Sequence, residues 1–460
     1  MTMAELYELG VAALAAAVRR REVAAVEVVR ALLARIEATE PRVLAWEVVD
    51  AERALAAAAA CDEVVARVDP ESVAARGQLG LLFGVPVGLK AIYSVAGLPT
   101  SAGWNAFHPP PAGEDAQTVA LLRQAGAVVL GHTVSTPFAM SDPPRTHNPW
   151  DPARTPGGSS SGSAAAVAAR QVPAALGTQT AGSVLRPAAY CGVVGLKPTF
   201  GRVSRRGIVP LSWSLDHPGP ITRSVEDAAL VLMALAKFDP ADPSSGHPSD
   251  TSYLWTASEP PAPRLGLVRD VLDRAEPEVR EHIAGVIEQL ERAGAQVREV
   301  PLPEPFELML AVHQVIMLAE AAAAHADLHA RRAAEYPPKL RANVEVGQLL
   351  PAAAYLRAQQ WRRRIRRRAL RLFEGLDCLV MPTASNVAPD PSTTGDTRFQ
   401  ALWSLIGLPA LSLPSGLSAD RLPFALQLVA APWQEATLLR AGRWCELQLG
   451  PLAAPGNLTP

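Results

Sequence analysis

Lysine is nearly absent from this chain of 460 residues. Of its 43 basic side chains only Lys90, Lys197, Lys237 and Lys339 are lysines, so arginine fills almost every ordinary cationic role. A guanidinium keeps its charge, whereas an ammonium can be tuned, so a lysine retained against this bias can mark a place where a group must lose its proton. Cysteine is scarce as well. Cys61, Cys191, Cys378 and Cys445 lie far apart with no C-x-x-C pair, which excludes a zinc cage and fits a reducing compartment. There is no surplus of either charge: 43 basic against 45 acidic residues leave a net charge of −2, which excludes a polybasic nucleic-acid binder. No uninterrupted apolar run reaches the roughly 18 residues of a membrane span, and the start at Met1 lacks the basic and apolar segments of a signal peptide. With 49% hydrophobic and 19% charged residues, the expectation is a soluble cytoplasmic protein with a large core, no membrane association and no nucleic-acid partner.

What is present alternates between helical and strand patterns. Ala25, Val28, Val29, Leu32, Leu33 and Ile36 recur at helical spacing. Residues 81–89 read as a buried strand that delivers Lys90 at its end. A helix over 116–125 and a strand over 128–130 follow. A helix opening at Ser224 and running to Ala236 precedes a proline-rich surface loop over 240–263. Further strands are expected at 265–268, 297–300, 379–381, 410–413 and 425–429, with a helix over 277–294. This alternation predicts an α/β protein with a mainly parallel or mixed sheet covered by helices.

Residues 148–202 are dominated by small side chains. Two clusters, 157–163 (Gly157-Gly158-Ser159-Ser160-Ser161-Gly162-Ser163) and 177–183 (Gly177-Thr178-Gln179-Thr180-Ala181-Gly182-Ser183), each precede an apolar element. Such backbone is a linker or a tight fold that brings N–H groups close to a ligand, and the apolar elements favour the second. A serine hydroxyl needs a base to become a nucleophile. None of the nine histidines lies in these clusters, whereas Lys90 at a buried strand end would have its pKa lowered by desolvation. A Ser/Lys site is one reading; a strand-end lysine reaching solvent is the other.

Several rival signals are weaker. Residues 158–162 match G-x-S-x-G, the elbow that would make Ser160 a nucleophile, but loop-like sequence precedes it where an elbow needs a strand. Cys191 beside Lys197 reads as a buried structural thiol. His325 and His329 have a metal-compatible spacing, but no glutamate follows His325 as in H-E-x-x-H, and no metal is expected. The arginines of 362–368 read as a solvated helix face.

Taken together, Gly84-Val85-Pro86 before Lys90, the run from Pro156 to Ala165, Gly182-Ser183 leading to Pro187 and Gly192, residues 195–199 (Gly-Leu-Lys-Pro-Thr), Met381-Pro382-Thr383 and Gly407-Leu408-Pro409-Ala410 resemble the amidase signature family. The resemblance runs from the N-terminal helices to about Glu446. It implies one catalytic domain over 1–460, a large mixed central sheet with helices on both faces, core motifs within 80–230 and a variable pocket region over about 300–375. By position, Ser183 resembles the family's nucleophile, Ser159 the bridging serine that follows a cis peptide bond, and Lys90 the general base. The backbone N–H groups of Thr180, Ala181, Gly182 and Ser183 resemble its oxyanion hole. The implied activity is hydrolysis of a small amide through an acyl-enzyme, without metal or cofactor, and a homodimer is compatible with it.

The departures from the family pattern are specific. Gln179 and Leu185 stand where many members carry an Asp and an Arg, so a buried ion pair is lost as a pair. An arginine appears instead at Arg186, a pattern that resembles the malonamidase-type branch, in which the equivalent residue grips a substrate carboxylate; a structural arginine paired with an acid of the fold is the alternative. Ala91 and Ala181 also depart from the family pattern. The region over about 303–373, which contains Phe306, Met309, His313 and Met317, is expected to wall the pocket, with no assignment of which side chains face it. Two other functions stay open: the amidase subunit of a tRNA-dependent amidotransferase, and a scaffold that binds an amide or a protein without turnover.

Overall fold

In the computed structural model, which describes residues 1–68, 79–246, 253 and 260–458, the chain forms one domain around an 11-stranded mixed sheet. The strands are β1 (Trp46–Val49), β2 (Pro86–Lys90), β3 (Val128–Thr133), β4 (Ala174–Gln179), β5 (Val194–Lys197), β6 (His217–Thr222), β7 (Arg264–Val268), β8 (Gln296–Val300), β9 (Cys378–Pro382), β10 (Ala410–Leu417) and β11 (Pro423–Val429). Their order across the sheet is β1-β3-β2-β4-β6-β5-β10-β11-β9-β7-β8. β2 runs parallel to both β3 and β4, β7 runs parallel to β8 and β9, and the remaining pairings are antiparallel. Every residue of β2, β3, β4, β5 and β6 is buried, as in a sheet covered on both faces.

The periodic segments fold as their patterns predict. The helix Ala25–Val43 buries Ala25, Val28, Val29, Leu32 and Ile36, with Leu33 half-buried. The helix Pro277–Arg292 buries Val279, Ile283, Val286, Ile287 and Leu290, an apolar stripe at helical spacing. Ser224 accepts from Asp227 N at 3.1 Å and caps the helix Val225–Leu235. The expected strand over 81–89 is shorter: Gly84 turns with φ +73°, and β2 occupies only Pro86–Lys90, still ending on the lysine. Three central strands, β4, β5 and β6, were not evident in the sequence. β4 is built largely of small residues and β6 carries Pro218 and Pro220, so neither shows strand-like alternation. The proline-rich stretch lies partly outside the described residues.

Two expectations change. The arginine run lies on the helix Ala352–Leu370, but it is not simply solvated. Arg362 turns inward onto Ser214 O at 2.7 Å, and Arg364 and Arg368 both bind Glu304, at 2.9 and 2.6 Å. The helix Phe306–Ala324 is also long and apolar enough, with mean hydropathy 1.5, to meet the length and composition of a membrane span. Half of it is buried inside the fold, where it packs on the helices Pro338–Gln348, Ala352–Leu370 and Arg398–Leu405, so internal packing accounts for its composition.

Candidate active site

Parallel pairing of β2 with β4 sets the end of one strand against the other, and this brings Lys90 to Thr178. Lys90 is fully buried. Its Nζ donates to Ser159 Oγ at 2.6 Å and to Thr178 Oγ1 at 3.0 Å. Burial pushes its pKa down to about 7, against a smaller upward pull from the carboxylate of Asp216. Near neutrality the amine is therefore divided between its charged and neutral forms.

Ser159 sits on the turn that enters the helix Ser161–Ala168, after a cis peptide bond between Gly158 and Ser159. All eight residues of that helix are buried, and its Ser, Gly and Ala side chains let it lie close against the sheet. Gly157 supports the turn with φ +80°, and a Cβ there would meet the backbone of Pro187 at 2.8 Å. Ser160 is fully buried, and its Oγ donates to Thr178 O at 3.4 Å and accepts from Thr178 N at 3.3 Å. No strand precedes it, so this hydroxyl ties the turn to the end of β4 and is not presented as on a nucleophile elbow.

Ser183 follows β4 and is 8% exposed, on a cavity of about 300 Å³. The carbonyls of the loop before it are all engaged. Thr180 O accepts from His313 Nε2 at 3.1 Å, Ala181 O from Ser404 Oγ at 2.8 Å, Gly182 O from Arg186 N at 2.9 Å, and Ser183 O from Ser160 N at 3.3 Å. Among the described residues, none of the N–H groups of Thr180, Ala181, Gly182 and Ser183 has an acceptor in the protein. Thr180, Ala181 and Ser183 line the cavity, so the loop offers free donors beside a hydroxyl.

Gln179 explains how the loop is held. Its Oε1 accepts from both Val184 N and Leu185 N at 2.9 Å, and its Nε2 donates to Ser404 Oγ at 3.0 Å. The neutral amide thus binds orphan donors at the start of the helix Leu185–Cys191, immediately after Ser183. Arg186 lines the same cavity but is itself buried. Its Nε and Nη2 donate to Gly158 O at 3.2 and 2.5 Å, and its Nη1 to Gly395 O. Burial lowers its pKa to about 10, against smaller upward pulls from Tyr190 and the carboxylate of Asp396, which leaves it charged at neutral pH.

The sequence pattern of the amidase family matches residues 27–439. The chain belongs to the amidase signature family. Members of that family hydrolyse carbon–nitrogen bonds other than peptide bonds, and this amidase is such a hydrolase. It is 41% identical over 459 residues to an amidase of Pseudomonas putida, with 96% of each chain covered. It is 39% identical over 495 residues to a glutamyl-tRNA(Gln) amidotransferase subunit of Anaeromyxobacter sp. (strain K), with 98% of each chain covered. The solved peptide amidase from Stenotrophomonas maltophilia superposes with a TM-score of 0.83 at 31% identity, covering 98% of this chain and 99% of that one.

Other singled-out residues of this amidase lie elsewhere or have another task. Cys191 is buried with its Sγ on Pro156 O at 3.4 Å, and burial pushes the thiol well above its ordinary range. His325 Nδ1 meets Tyr336 Oη at 3.0 Å, and His329 Nδ1 accepts from Gln348 Nε2 at 3.2 Å. Within the region expected to wall the pocket, Met317 lines the cavity and His313 grips Thr180 O, whereas Phe306 and Met309 lie in the core. Sequence reasoning missed the structural parts played by Gln179, His313, Ser404 and Asp216. Asp216 is buried and accepts from Thr180 Oγ1 at 2.5 Å.

Proposed function

We propose that this hydrolase cleaves a small, carboxylate-bearing amide by a proton relay through Ser183, Ser159 and Lys90. The contact of 2.6 Å between Lys90 Nζ and Ser159 Oγ, in a setting that holds the amine near neutrality, carries the reading. In the neutral amine that contact runs the other way, with the Ser159 hydroxyl donating to the nitrogen lone pair. Ser183 Oγ attacks the amide carbon, its proton passes to Ser159 and Ser159's proton to Lys90. The carbonyl oxygen, now negative, takes the free N–H groups of residues 180–183. Return of the proton along the same path to the leaving nitrogen breaks the C–N bond, releasing ammonia or an amine. Water attacks the acyl-enzyme by the same relay, yielding the acid and free Ser183.

The carboxylate preference rests on Arg186, a buried guanidinium on the cavity wall with carbonyl hydrogen-bond partners, and on the sequence pattern of Gln179, Leu185 and Arg186, which resembles the malonamidase-type branch. The four free thiols go with a reducing, cytoplasmic setting. A second reading, the amidase subunit of an amidotransferase, is favoured by the full-length similarity to a protein of that kind. Ammonia release from matched carboxylated and neutral amides separates them. Turnover by the isolated chain, lost in Ser183→Ala and faster on carboxylated members, is the expected result. No turnover until partner proteins are added would overturn it in favour of the second reading.

A further inference from the structure

The cavity at Ser183 is lined by two cations, Arg186 and Lys339, and by no carboxylate among the described residues. The cations differ in how they are held, Arg186 buried in the wall and Lys339 exposed at its edge. Three donor atoms of Arg186 are committed to the carbonyls of Gly158 and Gly395, which fixes it against the turn carrying Ser159. Lys339 is exposed, and its Nζ has one protein acceptor, Ser392 O at 3.2 Å. An ammonium carries three N–H donors, so two remain for a ligand.

The position of Lys339 is fixed from its backbone. It stands at the start of the helix Pro338–Gln348, where Asp142 accepts from Lys339 N at 3.0 Å and from Leu340 N at 2.7 Å. That carboxylate is thereby occupied with helix N–H groups. The side chain reaches the 392–395 segment, whose Thr393, Thr394 and Gly395 also line the cavity. One turn on, the amide side chain of Asn343 lines the same space.

We propose that Lys339 is a specificity-determining residue whose ammonium receives a carboxylate at the outer end of the substrate, several bonds from the scissile carbon. This rests on the amidohydrolase reading and adds to it a second anion position, separate from Arg186. One monovalent cation beside a neutral amide suits a carboxylate better than a doubly charged phosphate. A point charge on a flexible four-carbon stem also tolerates carboxylates at somewhat different distances, which explains a lysine in a chain that otherwise uses arginine.

The test compares ω-carboxylated monoamides of increasing length with uncharged alkyl amides of the same length. For Lys339→Met, KM for the longer carboxylated members rises roughly three- to tenfold while kcat stays within about twofold, as for the loss of one partly solvated ion pair. KM for the alkyl amides is unchanged, Lys339→Arg keeps KM within about twofold, and Lys339→Glu raises it further. An unchanged KM on carboxylated members, or an equal rise on both series, overturns the proposal. A calorimetric titration of Ser183→Ala and of Ser183→Ala with Lys339→Met, using the monoamide of a five-carbon dicarboxylic acid, reads the same ratio without turnover. Failure of the wild-type chain to hydrolyse any amide would sink the amidohydrolase reading; equal binding by the two titrated proteins, or none by Ser183→Ala, would sink the role of Lys339.

Discussion

Lys90 and Lys197 end two strands of the same sheet, β2 and β5, and both are fully buried. Desolvation pushes each down to about 7, and a buried carboxylate opposes it in each case, Asp216 for Lys90 and Glu435 for Lys197. Their partners differ. Lys90 meets two hydroxyls, Ser159 Oγ and Thr178 Oγ1, whereas Lys197 meets two carbonyls, Leu408 O and Pro198 O. A carbonyl only accepts, so Lys197 can donate and nothing more. A hydroxyl can reverse its role and hand over a proton. A depressed amine pKa is therefore not enough to mark a base; the chemistry of the atom facing it decides.

Four measurements would break or sharpen this contrast. Lys90→Met is expected to lower kcat/KM by about 10³–10⁴-fold, as for loss of one member of a catalytic triad, with the folded state intact by circular dichroism. If Lys90 is the base, kcat/KM falls about tenfold per pH unit below its midpoint near 7 and is level above it, because protonation of the amine at low pH removes the acceptor. That limb should sit at the same pH in Lys197→Met; a limb that moves or disappears there would assign it to the wrong lysine. Gln179→Ala removes the acceptor for Val184 N and Leu185 N and is expected to cost about tenfold in kcat, equivalent to roughly 1.4 kcal/mol. Gln179 O, which meets His217 Nδ1 at 3.1 Å, is a backbone atom that Gln179→Ala keeps, so the loss reports on the side-chain amide alone. Lys197→Met has the smallest expected effect on turnover, within about threefold. It should destabilise the fold by about 1–3 kcal/mol in denaturant titration, since two buried carbonyls lose their donor.

The parts of the site that could be read in the sequence are those where the unusual residue is local. Lys90 ends an apolar run, the serine clusters break the surrounding composition, and the helix of 25–43 shows its own period. The central strands hid because small residues and prolines carry no alternation, although their burial is complete. The supports of the loop before Ser183 hid for another reason. His313 and Ser404 reach Thr180 and Ala181 from 133 and 223 residues away, and neither residue type at its own position announces a distant carbonyl. Gln179 was visible as a substitution, and the loss of an ion pair was the natural reading. Its use as a double acceptor for Val184 and Leu185 becomes apparent only once the loop is folded back on it.

The uneven burial of the lysines also bears on how the protein can be handled. With Lys90 and Lys197 enclosed, the lysine amines exposed to a reagent are Lys237 and Lys339. Aldehyde or activated-ester coupling to a solid support would draw on a very small set of anchor points, and one of them stands on the wall of the Ser183 cavity. Random amine immobilisation would then present a share of the molecules with the opening turned to the matrix, whereas a Lys339→Arg background removes the anchor point that stands on the cavity wall.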